Sequence, residues 1–255
     1  MDVVTFLFSS CYHHLTMLLQ IESFIEKHTN KHFHNDHTIL IVYIIIYTTL
    51  DCDDQDEAAS YWRRYFRKID ERWNHNFSLR RWGDLDESFS FLHNGVLFFG
   101  VNMVGGSPYN KSEAKERHAL HLSKMKSIMT AREEEYSVVV LFGHAEPASW
   151  HDDFFKGSRG LATFVEDMGK PFLHLHGDWH EYYEVEGAFD VDNYMRISLD
   201  AGEIAKPIRV MIDSKRKNPI RISRRDSDLD VDCCKHGWPR LSDDDDSYDD
   251  DDDDA

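Results

Sequence analysis

Glycine is absent before Gly83 and proline before Pro108. An α/β chain ordinarily uses both residues in its strand–helix loops, because glycine supplies positive φ and proline pre-sets a turn. An opening of 82 residues without either one is a poor match to the start of such a domain. Cysteine is scarce: Cys11, Cys52, Cys233 and Cys234 are the four in 255 residues. That argues against a disulfide framework and for a reducing, cytoplasmic compartment. Lys and Arg number 29 against 47 Asp and Glu, a net charge of −18. Asp243–Asp246 and Asp249–Asp254 supply ten of these negative charges, and the remainder, about −8, is ordinary for an acidic domain. A general affinity for nucleic acid is not expected, since phosphate backbones require a basic face.

The longest apolar run, Ile39–Tyr47, falls well short of the roughly 20 residues a membrane-spanning helix needs. Its β-branched content suits a buried strand. The first 25 residues are apolar but carry neither a basic n-region nor a small-residue cleavage site. Neither a signal peptide nor a membrane contact is expected. With 41% hydrophobic and 13% aromatic residues, most of the chain should fold.

Three regions differ in character. Residues 1–50 mix scattered His with a β-branched run and show no clear amphipathic period. They read either as a gene-model artefact, such as a translated intron or a wrong start, or as a divergent N-terminal extension. Residues 51–225 carry the pattern of a folded domain. Residues 226–255 are polar and acidic, the composition of a disordered tail. Such a tail solvates the chain end, and it is also suited to contact a basic partner or hold Ca²⁺ loosely.

Within the middle region, Trp62, Tyr65, Phe66, Ile69 and Trp73 recur at helical spacing, with Asp53 or Asp54 as cap. Arg63, Arg64, Arg67 and Lys68 then form its solvated face. Gly95–Gly106 opens with a run that is apolar on both faces, as in a strand buried on both sides. A helix is predicted over Ser112–Arg132, with Leu122, Met125 and Met129 inward. Ser137–Gly143 is a second two-sided strand, a helix is predicted over Ser158–Met168, and Phe172–His176 is a third strand. The order β-α-β-α-β predicts parallel crossovers. Tyr194–Leu199 and Ile208–Ile212 alternate and suit antiparallel strands of an adjoining sheet.

The chemistry concentrates at Lys170–Tyr182. His174, His176, Asp178 and His180 place three imidazoles and a carboxylate within seven residues, at the end of an apolar strand. These are ligand types for Zn, Fe or Mn. His144 directly follows the preceding strand. If the two strands are parallel neighbours, about 5 Å apart, His144, His176, Asp178 and His180 converge at the carboxyl edge, where open α/β sheets bind ligands. His174 lies two residues deeper and reads as a buried or supporting imidazole. The other histidine group, His32, His34 and His37, has no strand-loop context.

These stretches resemble the calcineurin-like metallophosphoesterase family. The likeness runs from Asp51 to about Asp213, through Val96–Gly106, Val138–Pro147 and, most specifically, Lys170–Tyr182. It is closest to a branch whose last motif reads His-Gly-Asp-x-His rather than Gly-His-x-His. Asp51-Cys52 and the Trp62/Tyr65/Phe66 helix resemble the segment just beyond the family's Asn-containing motif. The resemblance implies a four-layer α/β/β/α sandwich, a mixed sheet with flanking helices, and a two-metal centre (Mn, Fe or Zn) that hydrolyses a phosphoester substrate. It implies that His144 is the penultimate metal histidine, that Asp178 and His180 fill the last motif's ligand positions, and that His176 is the branch's additional histidine.

The family's earlier motifs, Asp-x-His, Gly-Asp-x-x-Asp and the Gly-Asn or Gly-Asp-Asn element, are missing, and the last two cannot exist without glycine. Asn35-Asp36-His37 does not supply the first. The expectation is an incomplete phosphoesterase domain, weakly active or inactive. The rival expectations are a non-enzymatic interaction protein that uses the acidic tail, and a mononuclear zinc hydrolase.

Overall fold

The computed structural model describes residues 2–11, 14–23, 39–46, 60, 64, 71, 78–83, 85–103, 110–147, 151–178, 181–199 and 208–224. The chain divides into two compact units, 1–225 and 226–255. The second lies outside the described residues, as do the His32–His37 group, the inward positions of the helix expected around Trp62, and His180.

Twelve strands form two sheets among the described residues. The strands are β1 (Asp2–Cys11), β2 (His14–Ser23), β3 (Ile39–Ile46), β4 (Arg80–Trp82), β5 (Leu85–His93), β6 (Val96–Gly100), β7 (Val138–Phe142), β8 (Phe172–His176), β9 (Tyr183–Val185), β10 (Tyr194–Ser198), β11 (Ile208–Ile212) and β12 (Ile220–Arg224). The helices are α1 (Lys111–Ala131), α2 (Asp152–Phe155) and α3 (Leu161–Met168). One sheet has the order β4-β5-β6-β7-β8-β10-β9, the other β12-β11-β1-β2-β3. In the first, β6, β7, β8 and β10 run parallel and the outer pairings are antiparallel. The second sheet is antiparallel throughout. The molecule is thus mixed α/β. No helix among the described residues is long and apolar enough to cross a membrane.

The two-sided apolar strands have a direct cause. Along β7, Val138, Val140 and Phe142 pack with Ile208, Val210 and Ile212 of the second sheet. Val139 and Leu141 pack with Met125 and Met129 of α1, Phe154 and Phe155 of α2, and Val165 of α3. The parallel sheet is therefore covered by helices on one face and by a sheet on the other, so both faces of β6 and β7 are apolar.

Local chemistry sets the ends. Asn94 and Gly95, at φ 48° and 76°, make the two-residue turn that joins β5 to β6. The Asn110 side chain accepts from the N–H groups of Ser112 and Glu113, at 3.1 Å each, and caps α1. Gly169, at φ 64°, closes α3 in the left-handed region. At Gly160 a Cβ would sit 2.3 Å from the Lys156 carbonyl oxygen, so the turn between α2 and α3 has room only for hydrogen. Gly160→Ala should destabilise the fold by about 1–3 kcal/mol, because backbone rather than a side-chain tip must yield. A melting temperature unchanged within error would show the turn to be slack.

Three sequence expectations need correction. Tyr194–Leu199 is not an antiparallel strand of the adjoining sheet: β10 lies parallel to β8, with Arg196 beside His174 and Ser198 beside His176. The helix predicted from Ser158 begins at Leu161, with the separate turn α2 before it. In α1 the fully buried positions are His118, His121, Met125 and Met129, whereas Leu122 is only partly buried.

Candidate functional site

The carboxyl ends of β6, β7, β8 and β10 lie along one edge of the sheet, since the four strands are parallel. His144 follows β7 by one residue beyond Gly143, and Asp178 follows β8 by one residue beyond Gly177. Backbone bonds lock the two loops together: Gly143 N–H donates to Leu175 O at 3.1 Å and Gly177 N–H to His144 O at 3.1 Å. The side chains then meet, with His144 Nε2 3.9 Å from Asp178 Oδ1. That separation is beyond hydrogen-bond range. The other Asp178 oxygen accepts from the Glu146 N–H at 3.3 Å. Asp178 has φ 77°, a left-handed conformation that Asp tolerates better than most residues but still at a cost.

His176 ends β8 and is fully buried. Its Nδ1 lies 3.0 Å from the Gly177 carbonyl oxygen. A carbonyl only accepts, so the ring proton sits on Nδ1 and Nε2 carries a lone pair. That Nε2 is buried and has no hydrogen-bond partner among the described residues. Burial holds the imidazole neutral, pushing its pKa down to about 3; the charges of Arg196 and His144 act in the same sense, and the Gly177 carbonyl opposes them. A neutral imidazole whose proton is held by a carbonyl is the form that ligates metals.

His174 lies deeper, with its ring stacked on Phe155 at 5.2 Å and 5.2 Å from the His176 ring. Burial lowers its pKa well below the usual value. The buried position expected for it is the one it occupies. His144, His176 and Asp178 share one edge, whereas His180 lies outside the described residues. Among the described residues no group of three or more His, Cys, Asp or Glu side chains is arranged to hold a metal ion.

Sequence reasoning missed three neighbours. Tyr183 donates its hydroxyl to Glu146 Oε1 at 3.0 Å, and burial raises its pKa to about 12. Arg196 Cζ lies 5.4 Å from the Tyr183 ring centroid. The available signal was an arginine set in the strand Tyr-Met-Arg-Ile-Ser, two residues from its carboxyl end. A second polar group also went unread. Asp153 bonds His118 Nδ1 at 2.8 Å, His118 Nε2 faces His151 Nδ1 at 3.1 Å, and Ser88 Oγ bonds His121 Nε2 at 2.9 Å.

No protein-family model matches the chain, and neither a curated protein nor a solved structure matches it. The functional reading therefore rests on the residues themselves.

Proposed function

We propose that residues 51–225 form an incomplete calcineurin-like, metal-dependent phosphoester hydrolase domain, weakly active or inactive in this chain. The observation that carries the proposal is His176: a buried imidazole whose Nε2 lone pair has no hydrogen-bond partner among the described residues, at the carboxyl edge where His144 faces Asp178. The ligands would be His144, His176, Asp178 and His180. The ion would be Mn, Fe or Zn. The layering of helices, seven-stranded sheet and second sheet supports the four-layer sandwich implied by the family likeness, which needs one further outer helix layer. Cysteine usage alone supports a cytoplasmic setting.

A bound divalent ion would supply Lewis acidity and a nucleophilic hydroxide. The chain's own part is to hold the ligands. The Gly177 carbonyl fixes the His176 tautomer, the Glu146 amide orients the Asp178 carboxylate, and the Gly143 and Gly177 backbone bonds set the spacing of the two loops. The missing N-terminal motifs leave no bridging carboxylate for a second ion.

Elemental analysis of the purified chain should find about one divalent ion. Asp178→Asn and His176→Ala should each weaken binding on the order of a hundredfold. Asp178→Gly should lose the ion equally with little change in thermal stability, since relief of the positive φ is offset by the lost Glu146 amide bond and the freer unfolded chain. Manganese-supported cleavage of p-nitrophenyl phosphate should be slow or absent. Wild-type chain that binds no ion would refute the metal centre, whereas brisk cleavage would refute the incompleteness. Turnover with one bound Zn would instead favour a mononuclear zinc hydrolase.

A further inference from the structure

Arg196 is out of place in a strand. It sits in the middle of β10, next to His174 of β8 in the parallel register. Its side chain is 17% exposed, and Nε is buried with no hydrogen-bond partner among the described residues. The carboxylate near it is Glu146, whose Oε1 is 3.8 Å from Nη1. That is too far for a hydrogen bond, and the same oxygen already accepts the Tyr183 hydroxyl at 3.0 Å. A largely buried guanidinium whose Nε has no acceptor among the described residues is costly, because it has lost water and its Nη1 stands 3.8 Å from the opposite charge.

An aromatic ring lies beside this cation. The Tyr183 ring lies between Arg196, at 5.4 Å, and His176, whose ring meets it edge-on at 5.9 Å. Arg196 therefore offers a positive charge on a planar fork of donors. Such a fork matches an oxyanion in two parallel hydrogen bonds. Glu146 is the group an incoming anion would have to displace.

We propose that Arg196 is the anion-binding residue of this edge, taking a phosphoryl-class oxyanion through its guanidinium fork, with Glu146 as a competing carboxylate that holds the empty arginine in place. This deepens the phosphoester reading by assigning the phosphate-holding group, and it rests on that reading only for the phosphoryl class.

The test is calorimetric titration of inorganic phosphate into the full chain, with and without Mn²⁺, after chelator treatment. Saturable binding is expected even without metal. Arg196→Gln should weaken it about tenfold or more. Arg196→Lys, which keeps the charge but not the fork, should fall between. Glu146→Gln should tighten binding, since it removes the competitor. A structural ion pair predicts the reverse sign, because loss of Glu146 would let the arginine stray.

No saturable binding, equal affinity in Arg196→Gln, or weaker binding in Glu146→Gln would each overturn the proposal. Acetate bound as tightly as phosphate would overturn the phosphoryl class. If circular dichroism shows Arg196→Gln to be unfolded, the Lys and Glu146 variants carry the decision. Phosphate binding that depends on Arg196 in a chain that takes up no metal would leave this inference standing and the metal centre refuted. Metal uptake without phosphate binding would do the opposite.

Discussion

Phe98→Ala should destabilise the protein by about 4 kcal/mol, within the range for deleting a buried phenylalanine. Phe98 is 1% exposed and stacks on Phe91 with centroids 4.6 Å apart and planes within 11°. Phe142 lies 6.1 Å beyond it at 7°, and Phe89 is 6.3 Å from Phe91 at 15°, so the rings form a row across β5, β6 and β7. This row faces Ile208, Val210 and Ile212 of β11 across the space between the two sheets. Truncation would leave a cavity bounded by two sheets that cannot close on it independently, which puts the cost toward the high end. Phe98→Leu should cost much less, since it keeps most of the volume. Urea unfolding of the two variants checks this. A cost below about 1 kcal/mol for the alanine variant would mean that the sheets do not pack here.

The second large effect is on acid stability. His121 is fully buried, bonds Ser88 Oγ at 2.9 Å and meets the Trp82 ring edge-on at 5.8 Å. Burial, reinforced by the charges of Arg117 and His118, pushes its pKa from 6.5 down to about 3. The unfolded chain therefore binds a proton that the folded chain refuses in the interval between these values. The contribution of His121 is complete above pH 6.5 and is lost as pH falls toward 3, with an upper bound of about 4–5 kcal/mol. The groups around it are Arg117, itself bonded to Glu87, and His118 on its own helix, Ser88 on β5, and Trp82 on β4. His121→Gln, which keeps a polar partner for Ser88 but cannot titrate, should lose stability at pH 7 and lose less of it on acidification. Urea midpoints measured from pH 7 to pH 4 should converge for the two proteins. Parallel curves would show that His121 does not carry the acid sensitivity.

Much of this arrangement was readable, and the parts that were not share a cause. Phe172–His176 was legible to the residue because Gly169 and Pro171 bound it on one side, Gly177 bounds it on the other, and both faces are apolar or imidazole. The meeting of His144 with Asp178 was legible because two strands joined by one helix are normally neighbours. The meeting of Arg196 with His174 was not. Its strand alternates polar and apolar residues, and alternation ordinarily marks a face toward water. Here Arg196 on the polar side of β10 meets Tyr183 of β9 and Glu146 of the loop after β7 rather than water. The inward face of α1 misled for the same reason. His118 and His121 resemble surface residues beside Leu122, yet each is buried against a partner that lies about 33–35 positions away in the chain: Asp153 and His151 for the first, Ser88 for the second. Long-range polar pairing leaves no periodic trace, so hydrophobic spacing alone passes over it.

The two sheets also end differently, and this bears on how the protein behaves at high concentration. Among the described residues the seven-stranded sheet finishes at both sides in strands of three residues, β4 and β9. Such stubs give another chain little to pair with, a common guard against edge-to-edge aggregation. Among the described residues the five-stranded sheet finishes on β3, eight residues reading Ile-Leu-Ile-Val-Tyr-Ile-Ile-Ile, paired with β2. The uncharged, β-branched sequence of Ile39–Ile46 is of the composition that favours fibril-like stacking, so charge introduced there should alter colloidal stability more than a change in the parallel core.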